Sequence, residues 1–199
     1  MNKIFLNKDI LKGFGILEII LFLVSIVIKL LKMPYKPQGY LIDNEFLRNL
    51  VRYNYYNDFQ NAFGILFLFA SAAYIFYVVG YVKAKRKTLS STLESAILKI
   101  FPCFLLAGLL LCGFQIKEGL STDFDLPTYA KTEILVAKTE HQNKKSKSFV
   151  FTFSNGVTKE VPKKEFLETP VNRIFYIAYL GNTPIGFYPA DKYQLVLKP

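Results

Sequence analysis

The sequence predicts a membrane protein in two parts: a bundle of three transmembrane helices, then a small all-β, barrel-like domain of five or six strands. Three apolar runs within the first 116 residues are each long enough to cross a bilayer. From Thr132 onwards, apolar and polar residues alternate with a period of two, which is typical of half-buried strands. The charge is also divided, since 14 of the 25 Lys and Arg residues but only 6 of the 15 acidic residues precede Glu118. The positive excess therefore flanks the apolar runs, as membrane insertion requires.

The first predicted span covers residues 13–31. Lys3, Lys8 and Lys12 precede it, as in a secretory signal sequence. No cleavage site of small residues follows it, because the chain continues with Lys29, two leucines and Lys32. We therefore interpret the first span as an uncleaved signal anchor.

The second span is predicted at residues 62–82 and contains no charged residue. The third is predicted at residues 96–116. Lys99 lies one turn inside it, where its long side chain can reach the headgroups. Pro102 lies near the predicted start, where a helix tolerates proline because the first turn has no intrahelical partners for its N–H groups.

The loop charges predict the orientation. Lys83, Lys85, Arg86 and Lys87 lie within five residues between the second and third spans. Such a cluster favours the cytoplasmic side. We therefore expect a cytoplasmic N-terminus, an outer first loop, and an extracytoplasmic β domain, with the inner membrane of a bacterium as the location. The first loop also carries four basic residues, but they are more dispersed and are accompanied by acids.

The first outer loop is predicted to contain a helix at residues 45–59, capped by Asp43 or Asn44. Phe46, Leu47, Leu50 and Val51 would form its apolar face. Aromatic residues with a polar group follow, and such residues favour a membrane interface. An interfacial helix is one interpretation, and a contact surface for another subunit is the alternative. The aromatic residues are Tyr53, Tyr55, Tyr56 and Phe59.

The first span carries a polar face formed by Glu18, Ser25 and Lys29, which project within about 20° of one another around a helix. A carboxylate in hydrocarbon costs roughly 2–3 kcal/mol or more, so Glu18 must face protein or water, or be protonated. Glu18 and Lys29 are ~16 Å apart along the axis and cannot pair. Glu18 therefore either lies near the inner headgroups or bonds to a neighbouring helix, or it contributes to an ion path or pairs with a charge on a partner subunit. The second option implies oligomerisation or a partner.

The candidate helix-packing pair is Gly108 and Cys112, which are four residues apart and permit close approach of another helix. We expect no cofactor and no metal site. Cys103 and Cys112 have no metal-ligand spacing, and the single histidine, His141, lies in a lysine-rich turn. No basic stripe with interleaved aromatics predicts nucleic-acid binding.

A linker is predicted at residues 117–131 and the β domain at residues 132–199. Asn155-Gly156 predicts a hairpin with a type I′ turn, and one helical turn is expected within 162–168. The alternation predicts that Ile134, Val136 and Ile174 lie in the core. Five or six strands are expected, with candidate segments at 133–139, 148–153, 157–161, 172–180, 185–188 and 193–197. The remaining predicted core residues are Phe149, Phe151, Phe153, Val157, Val161, Phe175 or Tyr176, Ile185 and Leu195.

Three segments of this domain, Glu133–Lys138, Phe149–Val161 and Tyr179–Tyr188, carry a resemblance. They contain a strand, an Asn-Gly hairpin and a Gly-Asn turn, and a basic turn lies between the first two segments. In this order they resemble a group of poorly characterised bacterial membrane proteins that attach an SH3/OB-like β domain to membrane helices. The resemblance covers about 65 residues, implies the fold, and transfers no functional residue. The architecture also looks similar to that of some membrane-anchored defence effectors.

These features lead us to expect a non-enzymatic accessory subunit of an envelope complex. Its β domain would bind a protein partner, its helices would contact lipids, and it could form a homo-oligomer. The alternative is an immunity protein that blocks a toxin at the membrane, or an effector that permeabilises the membrane. A membrane enzyme is disfavoured, because no nucleophile–base pair or suitably spaced carboxylate pair is visible.

Overall fold

The computed structural model describes residues 7–142 and 146–196. The chain divides into two compact units. The helical unit consists of Met1–Pro34 and Tyr55–Thr122, and the β unit consists of Tyr35–Asn54 and Asp123–Pro199. The segment between the first two apolar helices therefore belongs to the β unit, which the sequence did not predict.

The helical unit contains three helices that are long and apolar enough to cross a membrane, as the three apolar runs predicted. They are α1 (Lys8–Lys32), α2 (Asn44–Lys85), whose first residues lie in the β unit, and α3 (Ser91–Leu120). All three are longer than the predicted spans. The Asn7 side chain accepts a hydrogen bond from the Asp9 N–H (2.8 Å) and caps α1.

Two expectations about these helices are wrong. The helix predicted at 45–59 is not separate, because α2 continues through that region without a break to Lys85. Pro102 is an interior residue, because α3 begins at Ser91 rather than near 96. Proline there removes one backbone hydrogen bond from the helix.

The β unit contains a five-stranded antiparallel sheet with the order β4-β3-β2-β5-β6. Strand β2 begins inside the predicted linker and is long enough to serve two neighbours: its first half pairs with β5 and its second half with β3. The sheet therefore curls into a half-barrel, and its edge strands are β4 and β6. The bounds are β2 (Thr128–Gln142), β3 (Lys147–Phe153), β4 (Thr158–Val161), β5 (Ile174–Leu180) and β6 (Thr183–Pro189).

The inner face of the half-barrel holds the main core. Leu135, Phe151, Phe153, Phe175 and Ile177 are each at most 1% exposed. The short helix α4 (Lys163–Glu168), at the predicted helical turn, adds a partly buried phenylalanine to this cluster.

The predicted register of β2 is wrong by one residue, and in β5 one of the two alternatives, Phe175, lies in the core whereas Ile174 does not. Ile134, Val136 and Ile174 were expected in the core but are 43%, 48% and 45% exposed. Their neighbours Leu135 and Phe175 point inward instead. A shift of one residue transfers every side chain to the other face, because the side-chain period of a strand is two.

The outer face of the same sheet is partly covered by the first loop. Strand β1 (Leu41–Ile42) pairs in parallel with β7 (Gln194–Leu195). The start of α2 then packs against Ala130 and Ala178 on the sheet. The residues that form this second core from the first loop are Ile42, Phe46, Leu47 and Leu50, each at most 6% exposed. The apolar face assigned to a membrane interface therefore packs on the β unit.

The Asn155-Gly156 hairpin is present, but its turn is not type I′. Of these two residues only Gly156 has a positive φ, of 81°. The Gly156 N–H donates to Phe153 O (2.9 Å), and the Phe153 N–H donates to Val157 O (2.9 Å). This is a three-residue loop that ends in a left-handed glycine.

Candidate functional site

Glu18 forms a polar contact inside the helical unit. Its Oε2 accepts a hydrogen bond from Ser71 Oγ of α2 at 2.6 Å. Its Oε1 is buried, and no described residue donates a hydrogen bond to it. A hydroxyl donor reduces the cost of placing the carboxyl group among apolar helices, but one acceptor oxygen stays unsatisfied.

The other members of the predicted polar face have different surroundings. Ser25 is half-buried, whereas Lys29 is exposed. The lysine that makes interhelical hydrogen bonds is Lys32, whose Nζ donates to Asn57 Oδ1 (3.0 Å) and to Gln60 Oε1. The structure therefore brings Glu18 and Lys32 to α2 and leaves Lys29 outside this contact.

The predicted helix-packing pair lies on α3. A Cβ atom at Gly108 would be 2.7 Å from Phe69 Cβ of α2, so only glycine permits this approach. Cys112, one turn later, is buried. Gly119 makes a second close approach, since its Cβ would be 2.8 Å from Phe59 Cε2. The sequence signal for Gly119 was only a lone glycine near the end of the helix.

The aromatic residues predicted as an interface or a partner surface are all half-buried. Tyr55 lies against Tyr56 and Phe59, with ring centroids 5.4 and 5.0 Å apart. Phe59 also contacts Gly119 on α3. Phe59 is therefore a packing residue of the helical unit. Tyr53 belongs to the β unit.

The four basic residues predicted to set the topology are exposed at the end of α2. Lys87 has a φ of 57°, the left-handed conformation that often follows the last residue of a helix. The Thr88 N–H donates to Lys83 O (2.9 Å) and the Lys87 N–H donates to Ala84 O (3.1 Å). These bonds end the helix at the basic cluster Lys83, Lys85, Arg86 and Lys87.

The outer face of the β unit carries an exposed surface that we call the aliphatic strip, defined as Ile134, Val136 and Ile174. Ile134 and Ile174 are direct partners across β2 and β5. Strand β2 has an irregular register between Leu135 and Ala137, typical of a bulge, and both Val136 and Ala137 are exposed. The strip is therefore contiguous along the middle of the sheet.

Charged neighbours of the aliphatic strip contact other groups. Lys138 Nζ lies 4.7 Å from the centre of the Phe166 ring and donates to Thr169 O (2.8 Å). Arg173 forms a two-nitrogen hydrogen-bonded pair with the carboxylate of Asp191, with its shortest distances at 2.7 Å. These bonds lower the pKa of Asp191 below its ordinary value of 3.8.

Glu133 also turns away from the strip, and its Oε2 accepts a hydrogen bond from Ser154 Oγ at 2.6 Å. The remaining outer-face residues close to the strip, Thr132, Ala137 and Thr152, are uncharged. A mostly apolar, uncharged and exposed surface results, and surfaces of this type commonly mark interaction sites.

The second core raises the pKa of one of its tyrosines. Tyr188 lies 5.1 Å from Phe46 and 4.9 Å from Tyr193, measured between ring centroids. Burial, and secondarily Tyr193, raises the pKa of Tyr188 well above its ordinary value of 10. Tyr188 is therefore a packing residue of the second core.

A groove of about 320 Å³ lies beside α4 in the β unit. Its lining includes Lys164, Glu165, Arg173 and Phe175. Its charges are of both signs and are largely paired, since Lys159 bonds Glu165 (3.3 Å) and Arg173 bonds Asp191. The groove therefore carries mixed and largely paired charge.

Among the described residues, no group of three His, Cys, Asp or Glu side chains lies close enough together to hold a metal ion. Neither a protein-family model, nor a curated protein, nor a solved structure matches this chain.

Proposed function

We propose that this chain is a three-span, non-enzymatic membrane protein that acts as an accessory subunit of a bacterial envelope complex. Its β unit lies outside the cytoplasm and binds a protein partner. The aliphatic strip is the observation that carries the binding proposal, because it groups three aliphatic side chains, each 43–48% exposed, on two neighbouring strands of the sheet.

The outward surfaces of α1 and α3 support membrane insertion. Ile16, Ile19 and Leu30 of α1 are 58–60% exposed, and Leu106, Leu110 and Phe114 of α3 are 60–66% exposed. Rows of exposed aliphatic and aromatic residues of this kind need lipid or protein around them.

The β unit is formed by two separate segments of the chain, which gives an independent argument for the membrane topology. The chain leaves this unit after Asn54 and returns at Asp123, and in between it forms the apolar part of α2 and then α3. Two crossings return a chain to the side from which it started. With α2 and α3 each crossing the membrane once, the two segments of the β unit lie on the same side and can form one folded unit.

The orientation part of the proposal rests on the exposed basic cluster between α2 and α3, which favours the cytoplasmic side. The first helix then acts as a signal anchor, and the half-barrel is an SH3/OB-like domain of partly closed form. These assignments are the ones that the resemblance to membrane proteins with small β domains implies.

Co-purification tests the partner proposal. We expect a partner to remain bound to the tagged protein after mild detergent extraction. Ile134→Glu should release the partner, because it places a charge in the strip. Leu167→Glu is the matched control, since Leu167 is also an exposed aliphatic residue but lies on α4, which packs on the inner face of the sheet. A partner that both variants retain would contradict the role of the strip.

Glu18 supports a second candidate function, an immunity protein or a permeabilising effector of a conflict system. A carboxyl group in a membrane helix with one unsatisfied buried oxygen is a group that ion-conducting proteins use. An effector should depolarise cells when it is expressed alone, and Glu18→Gln should change that activity. An immunity protein should protect cells from a toxin encoded beside it. If neither assembly nor activity responds to Glu18→Gln, Glu18 is a packing residue.

A further inference from the structure

We propose that the end of α2 binds an anionic phospholipid. The lipid phosphate contacts Lys83 and Arg86, and an acyl chain lies along an apolar row on the same face of the helix. The inference goes beyond the partner of the β unit and uses only the membrane insertion of the helices. It rests on three observations: the apolar row, the two cations in line with it, and the unequal charge of the two ends of the helical unit.

The outward face of α2 carries four exposed aliphatic side chains, which we call the apolar row. At 100° per residue they project within about 60° of one another around the helix. They are 39–66% exposed, whereas Ala73, Tyr77 and Ala84 on the other side of α2 are buried. The row therefore faces away from the interior of the bundle, as a surface in contact with acyl chains does. Its members are Leu68, Ile75, Val79 and Val82.

Lys83 and Arg86 lie directly beyond the apolar row. The Arg86 N–H donates to Val82 O (3.0 Å), so the helical path extends to Arg86. Lys83 follows Val79, and Arg86 follows Val82, by four residues, or about 6 Å along the axis. The headgroup layer beside the hydrocarbon is about 5–8 Å thick, so both cations lie at the depth of lipid phosphates.

Both side chains are available to an anion. They are exposed, and neither forms an ion pair with a described residue. A guanidinium group can bind two phosphate oxygens at once, and an ammonium group adds a mobile positive charge. A ligand that uses both the cations and the row must therefore combine an anionic head with an apolar chain.

The charge of this end of the helical unit selects an anionic lipid over a zwitterionic one. Ile10 and Leu11 of α1 and Phe101 of α3 pack against the Tyr77 and Ala84 cluster, so all three helices meet here. The segments 8–12 and 83–99 contain seven basic and two acidic residues. At the opposite ends of the helices, segments 29–34, 55–60 and 115–120 contain only three basic and two acidic residues. Basic clusters beside membrane helices attract anionic lipids. A soluble polyanion would meet the same cations but would leave the apolar row unused.

Native mass spectrometry of the full-length protein in detergent tests the proposal. Phosphatidylglycerol and phosphatidylcholine with identical acyl chains are titrated separately, and phosphatidylglycerol should bind at least about tenfold more tightly. The double variant Lys83→Gln/Arg86→Gln should lose this preference, because each cation near the headgroups contributes a factor of about five.

The matched control is Lys29→Gln/Lys117→Gln, which removes the same charge from exposed residues at the opposite ends of α1 and α3. This variant should bind phosphatidylglycerol as the unmodified protein does. Helical circular dichroism checks that both double variants keep their helices.

Four results would overturn the proposal. Equal losses in the two double variants would remove the site from the end of α2, and equal affinity for the two lipids would remove the selection by charge. Soluble glycerol phosphate that binds as tightly as phosphatidylglycerol would show that the apolar row takes no part. Displacement of phosphatidylglycerol by an equimolar short oligonucleotide would make a soluble polyanion the ligand. None of these results bears on the partner of the β unit, because both cations and the row lie in the helical unit.

Discussion

Leu47→Ala should destabilise the β unit. Leu47 is 0% exposed, and it belongs to the second core together with Ala130 and Ala178. Truncation of a fully buried leucine to alanine costs about 2–5 kcal/mol, through lost burial and the cavity that remains. For a unit of this size, a loss at the lower end lowers the melting temperature by at least about 8 °C.

The assay is thermal unfolding of the purified full-length protein in detergent, followed by near-ultraviolet circular dichroism of its tyrosines. Arg48→Ala is the matched control, because Arg48 is the next residue of α2 and is exposed. It should change the free energy of unfolding by no more than about 0.5 kcal/mol. Equal melting temperatures for Leu47→Ala and Arg48→Ala would refute the packing of the first loop on the β unit, and would favour the membrane-interface interpretation.

Two further predictions concern one glycine and one ion pair. Gly108→Ala should destabilise the helical unit by about 1–3 kcal/mol, because the added Cβ would overlap with Phe69. Gly113→Ala is the control and should not destabilise the unit, since nothing lies within 4 Å of its added Cβ. Detergent-induced unfolding followed by helical circular dichroism compares the two variants, and equal effects would contradict the close approach. The lowered pKa of Asp191 means that its pair with Arg173 stabilises the folded state above pH ~3.8, and that this contribution is lost as the pH falls through the lower folded-state pKa. Asp191→Asn should therefore flatten the fall in unfolding free energy between about pH 5 and about pH 2. An unchanged fall in Asp191→Asn would refute the contribution of this pair.

The three long helices could be predicted from the sequence because length and apolar composition are local properties. The exact ends could not be. The predicted cap at Asp43 or Asn44 falls at the start of α2, where Asp43 Oδ1 accepts from the Phe46 N–H (2.7 Å). The expected end of that helix at 59 was wrong, because the polar and aromatic residues before the second apolar run have no proline or glycine to interrupt the helix.

The face of the strands that forms the core was harder to predict. Both Ile134 and Leu135 are large and apolar, so a period of two fits either register. The register depends on Leu135 lying opposite Phe153 and on Asn172 donating to Leu135 O (2.8 Å). These are contacts between residues far apart in sequence, and no local pattern encodes them.

The candidate sites show the same limit. Glu18 was identified from its chemistry alone, because a carboxylate is unusual in an apolar run. Its partner Ser71 could not be identified, since it lies 53 residues away among alanines of similar character. The pairing of β1 with β7 joins segments about 150 residues apart, and each is only two residues long. Such short strands have no detectable periodicity.

The most direct test of the three-span topology is thiol accessibility from outside intact cells. Single cysteines are placed at Glu45, Lys85 and Ser146 in the background with Cys103→Ser and Cys112→Ala. We predict that a membrane-impermeant maleimide labels Glu45→Cys and Ser146→Cys, and that it labels Lys85→Cys only after permeabilisation. Labelling of Lys85→Cys alone would reverse the orientation. Labelling of only one of Glu45→Cys and Ser146→Cys would contradict the central claim, because the two segments of the β unit would then lie on opposite sides of the membrane.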